Sequence, residues 1–517
     1  MTELARTLTA PLHARLPVSV TARVATLASL FSVMFLLGLG FSVSQLNRVD
    51  EAWFVQVIAR MRAGDVLYRD IAYGAGPLPA YLTEALTYIL GVDVLSEKLV
   101  TVFAFAASAT LAWVVAERLG LGLKGRLFVL GGIAYFSPPL QLPAYGPLAT
   151  TFVVAALLAA LVCRASGQPR TRLLASVAGG AACGFAFVCK QNVGVYALLA
   201  FVGVLLVDRR LRNAVVAAAS FAGSTGVVLV PVLLWGGFGR YVDYGFTGKG
   251  EYVHLRAGPV GAFGDLLETI EKTDSSATAQ AAYWAGRLTL PCFAALALVA
   301  LLPAVRKRRS PVVLPVLLFA AAAGATLYPR FDATHTAYVG APLVLLIAYA
   351  LNVSSARVPR AAWLVVALWL GFAIVSMATL PIRLMRSPNA QLSELPHLHG
   401  AFVNPAYESR WRREAAQLAV AAAGDPDGLL LLVPDAGFRY LTAGLENPTP
   451  FDYPFVTTFG RNGQARVISL LRAGAIRRVC VTAAWSGAEP RQLVGYVRST
   501  MVRGRRLLTC TLYERAG

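Results

Sequence analysis

Long apolar runs separated by short charged ones dominate the chain. A bilayer core takes about 20 consecutive apolar residues per helix, and on that criterion about eleven runs qualify. They lie near 23–44, 98–116, 126–142, 147–163, 172–189, 192–207, 213–236, 287–304, 311–328, 338–354 and 361–382. The pattern predicts a mainly α, polytopic membrane protein. Between the first two runs the period changes. Trp53, Phe54, Val57, Ile58 and Met61 recur at helical spacing, Gln56, Arg60 and Arg62 fall between them, and Gly64 stands where a helix would stop. A short amphipathic helix lying in the membrane interface fits this spacing, with Asp50 suited to capping its start. After about residue 385 the composition becomes that of a soluble region. Helices are predicted over 408–423, 462–473 and 491–501, and strands over 429–433, 479–482 and 507–513. Alternation of this kind implies a small α/β domain. The expected division is therefore 1–384 for the membrane domain and 385–517 for the α/β domain.

Charge adds direction to this outline. The chain carries 47 Lys and Arg against 27 Asp and Glu, a formal net charge of +20. Such an excess would suit a nucleic acid, but most of it sits in short loops between apolar runs: Arg118, Lys124 and Arg126; Arg164, Arg170 and Arg172; Arg209, Arg210 and Arg212; Arg306 to Arg309; Arg357 and Arg360. The short loops of the other side carry Lys190 and Arg330. Cationic loops stay in the cytoplasm, so the asymmetry orients helices and nucleic acid is excluded as a partner. It places the N-terminus inside, and an odd number of spans then places the α/β domain outside the cytoplasm. The first run follows Arg6, Arg15 and Arg23 without a small-residue cleavage motif, which reads as a retained anchor in the cell membrane. Two outside connections are long, 45–97 and 237–286. Cys163, Cys183, Cys189 and Cys292 lie in or beside apolar runs with no zinc-type spacing. Cys480 and Cys510 fall in β-like runs and could pair if the strands are neighbours and the compartment is oxidising.

The polar residues of the outside connections emerge on one face: the proline-rich stretch 137–147, the hinge Cys189-Lys190-Gln191-Asn192, the stretch 328–335, and the first loop. Asp50 and Glu51 stand at the mouth of the first apolar run, where a carboxylate is costly enough to suggest a role. If this face binds an anionic, lipid-linked substrate, Lys190, Arg330 and His335 are suitable partners for a phosphate, Arg as a bidentate fork and Lys as a point charge. Asp50 is then the candidate general base, accepting the proton of an attacking hydroxyl in a single displacement. Glu51 and Asp70 would orient the acceptor or share the base role, Asp332 would hold Arg330 or His335, and Gln191 would support Lys190. The competing readings are a helix cap for Asp50 and snorkelling at helix ends for Lys190 and Arg330.

The run DEAWFVQVIARMRAGDVLYRD (50–70), with GPLPAYL (76–82), KQN (190–192) and PRFDATH (329–335), resembles the bacterial polytopic glycosyltransferases of the C superfamily (GT-C), akin to glycosyltransferase family 39. Protein O-mannosyltransferases and lipid A aminoarabinose transferases belong to that group. The C-terminal FRYLTAGLENPTPFDYPF (438–455) is similar to the outer domain of some members. Asp50-Glu51 matches the family's acidic motif, which implies that Asp50 is the catalytic or metal-associated acid. The resemblance implies transfer, with inversion, of a sugar from a polyprenyl-phosphate donor to an acceptor outside the cytoplasm: an envelope glycan, a lipid or a protein. Ala75-Gly76-Pro77 stands where some subgroups carry Lys-Pro-Pro, so the phosphate contacts of those subgroups do not carry over. Metal use varies across the superfamily, and nothing visible in the sequence requires a divalent cation. Two other classes remain. A lipid-linked polysaccharide polymerase or ligase would use Arg240, His254 and Arg256 of the second long connection. A secondary transporter would show internal repeats around a midplane site, and no repeat is found.

Overall fold

The computed structural model describes residues 20–44, 46–136, 143–248, 288–301, 312–328, 331, 335–336, 340–354, 389–424, 428–483, 485 and 488–515. The run expected at 361–382, together with Arg330, Asp332, His254 and Arg256, lies outside the described residues.

The described apolar runs are helical. In order they form α1 (Val20–Val43), α4 (Val94–Arg118), α5 (Leu123–Phe136), α6 (Tyr145–Ala165), α7 (Pro169–Phe187), α8 (Gln191–Val207), α9 (Leu211–Leu234), α11 (Leu288–Leu301), α12 (Val313–Ala325) and α13 (Gly340–Ser354). Among the described residues α1, α4, α6 and α9 are long and apolar enough to cross a bilayer, while α8, α11, α12 and α13 are apolar but shorter. Three further helices lie between these: α2 (Asp50–Ala63), α3 (Leu78–Leu90) and α10 (Phe238–Val242), the last continued by a π-turn over Asp243–Thr247. Helices α1, α4, α6 and α7 pack in sequence, and α7 is flanked by α8 and α9. The α7–α9 contact depends on glycine. A Cβ on Gly180 would stand 2.2 Å from the Ala217 carbonyl oxygen, and one on Gly184 2.7 Å from that of Phe221. Small residues four apart let helix backbones approach closely in lipid, where apolar burial gives no net attraction between helices. Ser220 Oγ donates to the Val177 carbonyl across the same contact, at 2.8 Å.

From residue 389 onward a short antiparallel pair, β1 (Gln391–Leu392) with β2 (Phe402–Val403), leads into α14 (Pro405–Ala422). Then follow β3 (Leu429–Leu432), α15 (Ala436–Ala443), α16 (Gly463–Ala473), β4 (Arg478–Val481), α17 (Arg491–Thr500), β5 (Val502–Arg506) and β6 (Thr511–Glu514). The sheet order is β3-β4-β6-β5, with β3 and β4 parallel and the other pairs antiparallel. Cys480 on β4 and Cys510 are disulfide-bonded, with Cα atoms 5.5 Å apart. The strand expected over 507–513 is in fact a hairpin turn followed by β6. Its partner β5, Val-Arg-Gly-Arg-Arg, is exposed along its whole length, and charge on an edge strand hides the alternation that would have revealed it.

The strands alternate between two cores. Leu429, Leu431, Cys480 and Leu512 pack with Leu418, Ala421, Ala422 and Tyr440 of the overlying helices. Leu430, Leu432, Val479 and Val481 face the other way, and their cluster takes in Trp53, Phe54, Val57 and Ile58 of α2 and Leu67, Tyr68 and Tyr73 after it. Helix α2 is thus covered by the C-terminal region, and Ala52, Val55 and Phe438 bury its remaining face. The interfacial helix expected here is an interior one. Gly437 allows the contact, since a Cβ there would sit 2.7 Å from the Trp53 Cα.

Candidate active site at the start of the first loop

Asp50 opens α2, and the loop before it is closed by Asn47. The Asn47 side-chain carbonyl accepts from the backbone N–H of Val49 and of Asp50, both at 3.0 Å. Capping therefore belongs to Asn47 and not to Asp50, whose side chain lies in the first turn, partly exposed. Asp50 Oδ2 accepts from Asn47 Nδ2 at 3.1 Å, and Oδ1 accepts from the hydroxyl of Tyr453 at 2.9 Å. The Tyr453 ring packs on Trp53, 4.9 Å between centroids, and on Phe455 at 4.3 Å.

Glu51 points the opposite way. Adjacent helical residues are rotated by about 100°, so a helix that turns Asp50 outward turns Glu51 inward. Its carboxylate is fully buried and accepts from Lys98 Nζ at 2.6 Å and from the Asn47 N–H at 3.1 Å. Lys98, equally buried, also donates to the Ser42 carbonyl at 2.7 Å. Glu97 lies beside the pair; its Oε1 accepts from Thr101 at 2.7 Å, and its Oε2 is buried without a hydrogen-bond partner among the described residues. Burial pushes the Glu51 carboxyl above its ordinary pKa while Lys98 pulls it back. The expectation that Glu51 orients an acceptor gives way to a buried ion pair that fixes the end of α1 to α2 and α4.

Asp70 is also occupied. Arg69 holds both its oxygens at 2.9 to 3.1 Å, and Oδ2 accepts from the Val66 N–H at 2.8 Å. The Arg69 guanidinium and this backbone bond keep the Asp70 carboxyl below the usual range, with partial burial acting the other way. These contacts close the turn 66–70, so the sharing of a base role expected for Asp70 finds no support in its surroundings. Arg60 joins that turn to the C-terminal region. It donates to Asp65 (2.7 Å), Asp452 (2.9 Å), the Thr449 carbonyl (2.9 Å) and the Asp70 carbonyl (3.1 Å). Burial opposes its charge, but Asp452 and Asp65 outweigh this and hold its pKa above the ordinary value.

The first loop also reaches the hinge between α7 and α8. Gly76 N–H donates to the Cys189 carbonyl and Leu78 N–H to that of Val188, both at 3.1 Å. A Cβ on Gly76 would meet the Val188 carbonyl oxygen at 2.1 Å, so glycine is what lets the two segments touch. Gln191, buried, donates to the Gly74 carbonyl at 3.4 Å. Lys190 directly precedes α8 in extended conformation and is partly exposed, as is His335. Two of the segments expected to share one face, the first loop and the 189–192 hinge, are therefore in contact. Arg240, weighed for a polymerase, donates to the Tyr244 hydroxyl at 3.3 Å. Among the described residues no three His, Cys, Asp or Glu side chains converge to hold a metal ion.

Asn47, Lys98 and Tyr453 were not anticipated. Lys98 had a signal, since Glu97-Lys98 at the head of an apolar run is costly unless paired. Tyr453 lies within the C-terminal stretch that carries the family resemblance, but nothing in that stretch points to Asp50, 403 residues away.

No protein-family model matches the sequence. No curated protein matches it either. Solved structures do resemble the fold. ArnT from Cupriavidus metallidurans in the apo state aligns with a TM-score of 0.56 at 14% identity, covering 95% of this chain and 98% of that one. The same protein bound to undecaprenyl phosphate gives 0.54 at 14% identity, covering 96% and 99%. An oligosaccharyltransferase of Archaeoglobus fulgidus in complex with Zn and sulfate gives 0.51 at 11% identity, covering 94% and 73%. The likeness spans the membrane helices and the C-terminal region together, and what it shows is a shared fold.

Proposed function

We propose that this chain is an inverting membrane glycosyltransferase that moves a sugar from a polyprenyl-phosphate donor to a hydroxyl of an acceptor outside the cytoplasm, an envelope glycan, a lipid or a protein. The observation that carries the reading is the unequal treatment of the acidic pair: Glu51 is sealed against Lys98, whereas Asp50 is partly exposed and oriented by Asn47 and Tyr453. A carboxylate held in this way suits general-base catalysis. Asp50 takes the acceptor's proton as the acceptor attacks the sugar C1, the bond from C1 to the phosphate oxygen breaks, and polyprenyl phosphate leaves from the opposite side. Lys190, Arg330 and His335 serve as the cations for that phosphate. Asp332 holds Arg330 or His335, and Gln191 anchors the hinge that carries Lys190. The N-terminus lies in the cytoplasm, about eleven spans follow, and the region after 385 lies outside. The cationic loops support that topology, and the Cys480–Cys510 disulfide fits an oxidising compartment. That ArnT was solved with undecaprenyl phosphate supports the donor class.

The test is release of undecaprenyl phosphate by purified protein in proteoliposomes. A panel of undecaprenyl-phosphate hexoses and pentoses serves as donors and a bacterial envelope extract as acceptor. Turnover is expected with one donor, and Asp50→Asn should lower it by roughly 10²–10⁴-fold without loss of folded protein. Retained turnover in Asp50→Asn removes the base role. Absence of turnover with every donor removes the reading.

A further inference from the structure

We propose that Tyr453 is a positioning residue for Asp50, so that the C-terminal region contributes a necessary part of the transfer site; this rests on the reading of Asp50 as the base. A carboxylate turns easily about its terminal torsion, which has broad wells, and a base that turns loses its alignment with the attacking atom. Asp50 is held at both oxygens by donors from different parts of the chain. Asn47 holds Oδ2 from the loop before α2, and Tyr453 holds Oδ1 from the C-terminal region. The first donor travels with α2. The second is present only when the C-terminal region is docked.

The segment bearing Tyr453 is built to be stiff. Asn447 Oδ1 accepts from the Thr449 N–H at 3.0 Å and its hydroxyl at 2.9 Å, and Asn447 Nδ2 donates to Asp452 Oδ1 at 3.0 Å. Arg60 bonds Asp452 and the Thr449 carbonyl, and the Ala72 N–H donates to the Pro450 carbonyl at 2.7 Å. Asn447, Thr449 and Asp452 are all buried. Tyr453 then emerges between the Trp53 and Phe455 rings, which fix the direction of its hydroxyl. A rigid loop, an aromatic stack and a single hydroxyl aimed at the one accessible carboxylate of the acidic pair make an arrangement that stability alone does not require. Precise support behind a reacting group is what catalytic geometry needs.

The experiment uses the full chain in proteoliposomes with the donor that the wild type turns over. Tyr453→Phe keeps the ring and its stacking and removes only the hydroxyl. A hydrogen bond to a charged group is at stake, so kcat should fall about ten- to a hundredfold, with the donor KM and the unfolding transition unchanged. The double variant Asp50→Asn with Tyr453→Phe should be no slower than Asp50→Asn alone, because a residue acting through Asp50 has nothing left to position. Tyr513→Phe removes a hydroxyl elsewhere in the same region and should leave kcat at the wild-type value. Wild-type kcat in Tyr453→Phe, or losses that multiply in the double variant, overturns the inference while leaving Asp50 as base. Full turnover in Asp50→Asn overturns both.

Discussion

The helical bundle and the polar cap above it, formed by residues 46–82, 237–248 and the C-terminal region, are joined by opposite means. In the bundle glycine brings backbone close to backbone, with Gly180 and Gly184 of α7 set against Ala217 and Phe221 of α9. In the cap the contacts are rings and charges: Trp53 on Tyr453, Tyr244 edge-on to Phe451, Arg60 on Asp452, and the Arg461 N–H donating to Asp243. The contrast follows from the surroundings. Between helices in lipid there is no gain from burying apolar surface, so close fit and small residues decide. In the cap, aromatic burial is worth much, and polar groups can be paired at little loss. Where the two regimes meet, at the end of α1, the fold places a buried Glu51–Lys98 pair.

That junction gives the largest expected effect. Lys98→Met leaves Glu51 and Glu97 buried without their cation and should cost about 3–5 kcal/mol, the scale for breaking a buried pair. Glu51→Gln should cost less, because Glu97 still stands beside Lys98. Denaturant unfolding in detergent micelles measures both, and a Lys98→Met protein as stable as the wild type would show that the pair does not hold the junction.

Within the bundle the expected effect is smaller. Gly180→Val drives carbon into the Ala217 backbone and should cost about 1–3 kcal/mol, as overpacking does. Gly223→Ala serves as its counterpart, since a Cβ on Gly223 meets nothing within 4 Å. That change should be neutral or stabilising, by up to about 1 kcal/mol. Equal effects at the two glycines would mean that close approach does not decide this contact.

The smallest effect belongs to the cap's own turn at 66–70. Arg69 and the Val66 N–H hold the Asp70 carboxyl below its ordinary pKa. A lowered folded pKa means a contribution that is complete above the ordinary carboxylate value and is lost as pH falls through the lowered one. Amide exchange at Val66 should therefore be slow at neutral pH and lose protection only in strongly acidic solution, whereas Asp70→Asn should show reduced protection at every pH. Protection that does not change with pH in the wild type would detach the turn from the Asp70 carboxylate.

Much of this architecture follows from sequence alone, and the physical reason is that bilayer length and helix period are local properties. The runs between 23 and 354 fall on helices wherever they are described, and Gly64 ends α2 in the left-handed conformation expected of it. The strands over 429–433 and 479–482 and the helices over 462–473 and 491–501 are found within a residue of their expected limits. What the sequence left open is which side each residue faces once distant segments meet. Asp50 and Glu51 are adjacent and alike in chemistry, and only the packing of α2 against Lys98 on one side and Tyr453 on the other made one a buried ion and the other an accessible carboxylate. Likewise, the apolar stripe of α2 reads equally well as a membrane face or a protein face. The choice fell to the C-terminal sheet, whose inner residues Leu430, Leu432, Val479 and Val481 share a core with that stripe. Periodicity specifies that a face must be buried, and long-range packing specifies what buries it.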